Sequence, residues 1–285
     1  MKLGISTYSL FGATKTGEMS VLDVIDYIAD IGGEHVEIVP LGYTLADNPE
    51  LVQQIRERAA ARGLEISNYA VGGNFSGKSA AEVTEEIERL KGEVDAAAAL
   101  GVSLMRHDVA SSQDISIAHF LEELPTIANA CAEVADYAAT KGITTSVENH
   151  GYYVQASDRV QALVNTVNRP NYKTTLDIGN FMCADENPVA AVAKNIGLAS
   201  MVHLKDFYLR PAADNKGEGW FKTSHGNYLR GAIVGDGDIP MREVLRIVKE
   251  SGYDGYLSIE FEGMEECKRA TKIALDNARA IWESV

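Results

Sequence analysis

The sequence ITTSVENH at residues 143–150 decides the fold, because it is a short β-rich run that ends on a carboxylate. Side chains alternate between the two faces of a strand. Ile143 and Val147 share one parity, so Glu148 points to the opposite face. Runs of the same type recur along the chain. The predicted strands lie near residues 2–7, 35–39, 64–70, 102–107, 143–148, 172–177, 200–205 and 256–261.

Helical patterns fill most of the gaps between these strands. The clearest cover residues 80–100, where Val83, Ile87 and Leu90 form one apolar stripe, and residues 118–140. A glycine often stands between a helix and the next strand, which is a helix C-cap signal. The alternation of strands and helices predicts parallel strands that are joined by crossover helices.

Eight strand–helix units predict an α/β fold, a (β/α)8 TIM barrel with a single domain over residues 1–285. An open doubly wound sheet is the structural alternative, but no Gly-x-Gly-x-x-Gly motif follows the first strand. A long stretch at about 206–239, after the seventh strand, is predicted to be irregular. Its aromatic residues favour an ordered flap over a decorative insertion.

Composition excludes several classes of protein. The chain has 285 residues, of which 46% are hydrophobic, and its formal net charge is −15. Such an acidic chain is unsuited to binding nucleic acid or an anionic membrane surface. No stretch reaches the roughly 18 apolar residues that a membrane span needs. The three cysteines form no Cys-x-x-Cys motif, so a reducing, cytoplasmic location is expected.

Four polar side chains are predicted to point inward near the carboxyl ends of neighbouring strands, namely Glu148, Asp177, His203 and Glu260. That end of a barrel carries the active site. Three crowded carboxylates repel one another and take up protons, whereas a divalent cation removes the conflict. Three oxygen donors and one imidazole suit Mn²⁺, Mg²⁺ or Co²⁺ better than a structural zinc. Taken singly, each residue is also compatible with a cap or a core hydrogen bond.

Four motifs carry a family resemblance, and they occur in the order SVENH (146–150), TLDIGN (175–180), VHLKD (202–206) and SIE (258–260). In this order and spacing the chain resembles the xylose isomerase-like TIM barrels, a superfamily described as sugar phosphate isomerases and epimerases. The resemblance covers essentially the whole chain. It implies one divalent metal ion, most simply Mn²⁺ with Mg²⁺, Co²⁺ or Zn²⁺ as alternatives, held by the four inward-pointing residues named above.

The resemblance also implies a reaction, in which the glutamates Glu148 and Glu260 act as acid and base on opposite faces of a sugar. We expect a metal-dependent sugar isomerase or epimerase that removes a proton next to a carbonyl, through a metal-stabilised enediolate, from a ketose, keto-polyol or related carbohydrate. The alternative is a lyase that uses the same intermediate, similar to inosose or 3-dehydroshikimate dehydratases. The sequence does not separate these outcomes or identify the sugar.

Supporting roles are predicted for residues outside the ligand set. Lys205 shares the parity of His203 and is predicted to be catalytic, with an ion pair to a carboxylate as the alternative. The predicted substrate-binding residues are Glu37 and His107, which are expected to face inward, together with His150 and Trp220. Trp220 and His225 are expected to close over the ligand.

Two other classes of function have less support in the sequence. Apurinic-site endonucleases share the barrel, but Asn180 stands where a further histidine ligand is expected, and the acidic charge opposes DNA binding. A sugar-binding protein without activity is the third class, although all four predicted ligands are present. The expected partner is a small carbohydrate, with no nucleic acid or membrane partner, and a homo-oligomer is left open.

Overall fold

The computed structural model describes residues 2–214 and 217–285, in which strands and helices alternate as the sequence predicts. The strands are β1 (Lys2–Ser6), β2 (His35–Ile38), β3 (Glu65–Val71), β4 (Leu104–His107), β5 (Thr144–Glu148), β6 (Tyr172–Asp177), β7 (Ala199–Leu204), β8 (Asp206–Arg210), β9 (Phe221–Lys222), β10 (Tyr228–Ala232) and β11 (Tyr256–Ile259). The α-helices are α1 (Phe11–Lys15), α2 (Val21–Asp30), α3 (Pro49–Ala61), α4 (Ala80–Leu100), α5 (Ile117–Ala139), α6 (Ser157–Val167), α7 (Pro188–Asn195), α8 (Met241–Glu250) and α9 (Cys267–Ser284).

Eight of these strands close into a barrel in the order β1-β11-β7-β6-β5-β4-β3-β2, and every pair in it is parallel. The predicted TIM barrel is therefore confirmed. Val147, Leu176, Val202 and Ile259 are fully buried under the helices, on the strand faces that the alternation assigns to the helix layer. Their polar neighbours along each strand consequently face the barrel interior.

Helix α4 shows why the helices form where the sequence predicts them. Ser79 and Glu82 make a capping box, in which each side chain accepts from the backbone N–H of the other residue. At the other end Gly101 adopts a φ of 82°, a left-handed conformation that glycine reaches without strain. None of the described helices is both long and apolar enough to cross a membrane.

The stretch at 206–239 is more regular than the sequence predicts, although residues 215 and 216 lie outside the described part. Strands β8, β10 and β9 form a three-stranded antiparallel sheet there. Asp206 holds the turn that follows, because its carboxylate accepts from the backbone N–H of Gly235 at 2.9 Å and of Gly237 at 3.0 Å. A Cβ at Gly237 would lie 2.1 Å from Oδ1 of Asp206, so only glycine fits.

Candidate metal centre

Four buried side chains converge at the carboxyl end of the barrel. Glu148 and Asp177 are the last residues of β5 and β6, His203 lies near the end of β7, and Glu260 directly follows β11. Each offers a ligand atom, and these four atoms all lie within 4.8 Å of one another. The structure thus brings together the four residues that the motifs single out.

The two carboxylate oxygens of Asp177 have different surroundings, since Oδ1 accepts from the backbone and Oδ2 faces the cluster. Its Oδ1 accepts from the backbone N–H groups of Gly179 and Asn180, both at 2.8 Å. Asn149 brackets the backbone of Asp177, since its side-chain amide donates to the carbonyl at 2.8 Å and its oxygen accepts from the N–H at 2.9 Å. The oxygen Oδ2 of Asp177 is buried and faces the other ligand atoms, with the ammonium of Lys205 3.1 Å away.

The ring of His203 is oriented from behind by Glu37. Nε2 of His203 lies 2.9 Å from Oε1 of Glu37, which also accepts from the side-chain amide of Asn68 at 2.7 Å. Because an ionised carboxylate only accepts, Nε2 carries the hydrogen, and in the neutral ring Nδ1 keeps its lone pair. Nδ1 has no hydrogen-bond partner and lies 3.5 Å from Oε2 of Glu260 and 3.7 Å from Oε1 of Glu148.

The pKa values of the cluster show that its crowded carboxylates repel one another. Burial, together with the charges of Glu260 and Glu148, raises the pKa of Asp177 to about 7. Burial opposes ionisation of Glu260 as well, but Lys205 and His203 outweigh it and hold its pKa well below the usual range. One carboxyl group therefore takes up a proton near neutral pH, which is the conflict that a dication would remove.

Lys205 is buried between three carboxylates. Its ammonium lies 2.7 Å from Oε2 of Glu260, 3.1 Å from Oδ2 of Asp177 and 3.4 Å from Oε2 of Glu262. Burial alone would lower its pKa, but these carboxylates raise the pKa of Lys205 well above its usual value. The ion-pair alternative that the sequence left open is thus present, and the side chain is a permanent cation at the site.

Arg106 is a site residue that sequence reasoning missed. It is buried, with Nε 2.9 Å from Oε2 of Glu148 and Nη1 3.2 Å from Oδ1 of Asp108. The neighbouring His107 points to the other face of β4, where its ring packs against Phe75 and Tyr172 at centroid distances of 6.4 Å. The prediction that His107 faces the interior is therefore wrong, and Arg106 takes that place.

A cavity of about 450 Å³ opens above the cluster. Of the predicted residues, Glu148, His150, Lys205 and Glu260 line it. Glu37 is not among the described lining residues, because it lies behind His203 and contacts that ring. The cavity volume lies within the range of small-molecule sites.

Trp220 is also absent from the described lining of this cavity. Its ring stacks against Arg230 at 5.3 Å and Arg210 at 5.8 Å, within the three-stranded sheet. His225 is mostly exposed, and its backbone N–H donates to Asp185 at 2.8 Å. The sheet thus docks on the loop after β6, which differs from the expected closure of Trp220 and His225 over the ligand.

Comparisons with known proteins agree with this architecture. The family profile described as xylose isomerase-like TIM barrel matches residues 25–282. An inosose dehydratase of Clostridium botulinum (strain Alaska E43 / Type E3) is 29% identical over 148 residues, which is 50% of this chain and 48% of that protein. The chain thus matches about half the length of such curated relatives.

Two solved structures show the same fold. D-psicose 3-epimerase with D-tagatose, from Clostridium cellulolyticum H10, superposes with a TM-score of 0.75 at 16% identity over 99% of both chains. The IolI protein with a bound zinc atom gives a TM-score of 0.73 at 21% identity, over 99% of this chain and 96% of that one. At these identities the likeness concerns the fold.

Proposed function

The chain belongs to the xylose isomerase-like TIM barrel family, and we propose that it is a metal-dependent enzyme that removes a proton next to the carbonyl of a small keto-carbohydrate. The observation that carries the proposal is the set of four buried ligand atoms within 4.8 Å of one another beneath a cavity. Carbohydrates are the substrates of this family, and a cavity of about 450 Å³ accommodates a monosaccharide or cyclitol.

The ligand set fits a single divalent cation. Nδ1 of His203 is buried without a hydrogen bond, which is costly unless something else binds it. Oε2 of Glu148 and Oδ2 of Asp177 face the same point, each with one buried cation beside it, Arg106 and Lys205 respectively. Together with Glu260 the three ligand residues would hold the ion, and three oxygens with one imidazole favour Mn²⁺. When bound, such an ion supplies Lewis-acid polarisation of a carbonyl oxygen. The bound zinc of the IolI structure supports a metal at this kind of site, and Zn²⁺ is the main competitor.

The cations beside Glu148 and Glu260 favour dehydration over epimerisation by these two residues. Epimerisation needs two groups that exchange protons with opposite faces of the substrate, whereas dehydration can use one. Glu148 and Glu260 each lie beside a buried permanent cation, Arg106 and Lys205 respectively. Burial alone would raise the pKa of both carboxyl groups, but these cations lower it. Glu148 and Glu260 are therefore good metal ligands and weak bases.

His150 is the group suited to moving a proton. It lines the cavity with its side chain half exposed, and Nδ1 lies 3.4 Å from Oδ1 of Asp108. Partial burial would lower its pKa, but the hydrogen bond to Asp108 and the charges of Glu148 and Asp108 raise the pKa of His150 above its usual 6.5. In the proposed reaction the imidazole takes the proton from the carbon next to the carbonyl. It then returns that proton to the hydroxyl group on the adjacent carbon, which leaves as water.

Isomerisation or epimerisation is the second candidate. It is favoured by the position of Glu148 and Glu260, which both line the cavity and are the acid and base that the resemblance implies. The curated relatives named inosose dehydratase support the first candidate, and the psicose epimerase fold is compatible with the second. Both candidates begin with the same proton abstraction.

One experiment tests the shared step and separates the two outcomes. Mn²⁺-loaded protein is incubated in D2O with 2-keto-myo-inositol and with a panel of ketohexoses, and the products are followed by proton NMR and mass spectrometry. Dehydration yields a product lighter by one water, whereas epimerisation retains every oxygen and introduces deuterium next to the carbonyl. Loss of all turnover on chelation and its return with Mn²⁺ are expected. Turnover that ignores the chelator contradicts the proposal.

A matched pair of variants tests the role of His150. His150→Gln should abolish dehydration, because glutamine fills the site but cannot carry a proton. His225→Gln makes the same change on a mostly exposed side chain of the three-stranded sheet, and full activity is expected. Equal loss in both variants would contradict a proton-transfer role for His150.

We infer a cytoplasmic location from the three cysteines, which are all free. This inference is independent of the reaction. Purification from a cell fraction with a reducing environment would test it.

A further inference from the structure

The cavity above the ligand cluster contains three permanently cationic side chains among its described lining residues, Arg89, Arg106 and Lys205. A phosphate or carboxylate group of a substrate is bound through such cations, by short charge-assisted hydrogen bonds. Whether these three cations are available therefore decides whether the site can accept a charged substrate.

The two innermost cations already form ion pairs with carboxylates of the chain itself. Arg106 lies between Glu148, at 2.9 Å, and Asp108, at 3.2 Å, and also donates to the carbonyl of Val71 at 3.1 Å. Lys205 is surrounded by three carboxylates at 2.7 to 3.4 Å. Both side chains are buried, and their charged groups face these carboxylates.

The third lining cation, Arg89, also forms ion pairs with carboxylates of the chain. Arg89 donates to Oε1 of Glu86 at 2.9 Å and to Oε1 of Glu93 at 3.3 Å. Its remaining Nη2 hydrogen bond goes to the carbonyl of Gly72, at 2.7 Å. Each lining cation of the described chain thus already has at least two carboxylate partners.

The balance of charge around the cavity is negative. Five lining carboxylates and two that lie directly behind them, Asp177 and Glu37, make seven against the three cations. With a dication bound and every carboxyl group ionised, this excess would fall from four to two. Incoming negative charge therefore meets repulsion, while sugar hydroxyl groups find carboxylate acceptors.

We infer that the substrate of this site is an uncharged keto-carbohydrate, such as a free ketose or a keto-cyclitol, and not a sugar phosphate or a keto-acid. This inference deepens the proposed function and rests on it. Repulsion by unpaired like charge is a common way for a site to reject a wrong ligand. An anionic analogue is expected to bind about 100-fold more weakly than its neutral counterpart.

The test is an equilibrium binding measurement on matched probes, made by calorimetry on Mn²⁺-loaded and on chelated protein. The probes are D-fructose with D-fructose 6-phosphate, and 2-keto-myo-inositol with 3-dehydroshikimate. The neutral member of each pair is expected to bind more tightly in both preparations. Equal or tighter binding of the anionic members would overturn the inference.

A variant that removes one charge tests whether Glu262 contributes to the preference for neutral over anionic ligands. Glu262 lines the cavity 3.4 Å from the ammonium of Lys205, so Glu262→Gln removes one repelling charge while keeping the shape of the side chain. The ratio of anionic to neutral affinity should rise about tenfold. Glu122→Gln, on an exposed position of α5, is the matched control and should leave that ratio unchanged. An unchanged ratio in Glu262→Gln would overturn the assignment.

The same probes distinguish failure of this inference from failure of the proposed function. If an anionic probe binds best and exchanges its proton with D2O, the charge inference is wrong and the proposed chemistry stands. If neutral probes bind best but no probe exchanges deuterium in the Mn²⁺-loaded protein, the proposed chemistry is wrong and the charge preference stands.

Discussion

At the carboxyl end of the barrel, four buried side chains crowd their ligand atoms within 4.8 Å of one another, and the buried cations Arg106 and Lys205 lie against the carboxylates. At the amino end, Lys2 and Glu65 instead form an ion pair at 2.5 Å, with both side chains about half exposed. The hydroxyl of Tyr256 donates to the same carboxylate at 2.7 Å. All three residues stand at the first position of a barrel strand, so they close the amino end of the barrel with paired charge.

The contrast teaches how to separate charge that serves folding from charge that serves chemistry. A cluster of buried carboxylates raises the free energy of the folded chain, even where buried cations lie beside it. A half-exposed ion pair costs little and contributes little. The crowding of buried carboxylates therefore distinguishes the end of the barrel where we expect a ligand to bind.

The largest expected effect comes from breaking the ligand cluster. His203→Gln keeps a donor toward Glu37 but removes the nitrogen that faces the carboxylates. Wild-type protein should gain about 5–10 °C in its thermal midpoint with Mn²⁺ at 100 times its dissociation constant. The variant should gain nothing and lose turnover about 10³-fold, because a metal ion supplies several kcal/mol. A variant that is still stabilised by Mn²⁺ would contradict the ligand assignment.

The second prediction concerns His107, a buried histidine that faces the helix layer and not the ligand cluster. Burial lowers the pKa of His107 to about 4, despite its hydrogen bond to the carbonyl of Asp108. Since the unfolded chain binds this proton near pH 6.5, the stability from the neutral ring is present above that pH. It is lost as the pH falls toward 4, by up to about 1.4 kcal/mol per pH unit.

Denaturant unfolding of chelated protein between pH 7 and 4 measures this slope. Burial lowers the pKa of His35 to about 4 as well, so His107→Gln should remove only about half of the histidine contribution. Equal slopes for the variant and the wild type would contradict the assigned burial of His107.

The third prediction concerns the residue behind the cluster. Glu37→Gln keeps the size of the side chain but weakens the hydrogen bond that orients His203. Mn²⁺ affinity, measured by calorimetry, should fall about 10–100-fold, as for other outer partners of metal-bound histidines. Glu65→Gln makes the same change at the amino end and should leave the affinity unchanged. A loss in both variants would indicate a general effect on folding.

The smallest effect is expected at the amino end itself. Glu65→Gln breaks the ion pair with Lys2, but both side chains are about half exposed and screened by solvent. The free energy of unfolding should fall by less than about 1 kcal/mol, and by less still at high salt. A loss above 2 kcal/mol would show that this pair resembles the buried charges of the other end.

Much of the fold could be predicted because the apolar residues of most strands occupy one parity. Ile143 with Val147 and Leu257 with Ile259 each define an outer face, and their polar neighbours point inward. The rule fails in β4, where the sequence VSLMRH places apolar residues at both parities. The choice between Arg106 and His107 therefore depends on contacts across the barrel, and the sequence alone assigned it wrongly.

Contacts between residues far apart in the sequence are the second limit on what the sequence could predict. Glu37 and His203 are 166 residues apart, so no local pattern links the carboxylate to the ring that it orients. The three-stranded sheet was missed for a different reason. Its strands are short, and glycines and a proline interrupt the alternation that would have revealed them.

The sequence by itself determined the order of strands and helices, the closed barrel and the inward face of Glu148, Asp177, His203 and Glu260, because strand parity is a local property of the backbone. Only the tertiary structure decided which ring nitrogen faces the carboxylates, which cation neutralises each of them, and that Arg106 belongs to the site. Those features depend on distances between strands that are remote in sequence, and electrostatic interactions at such distances are set by packing.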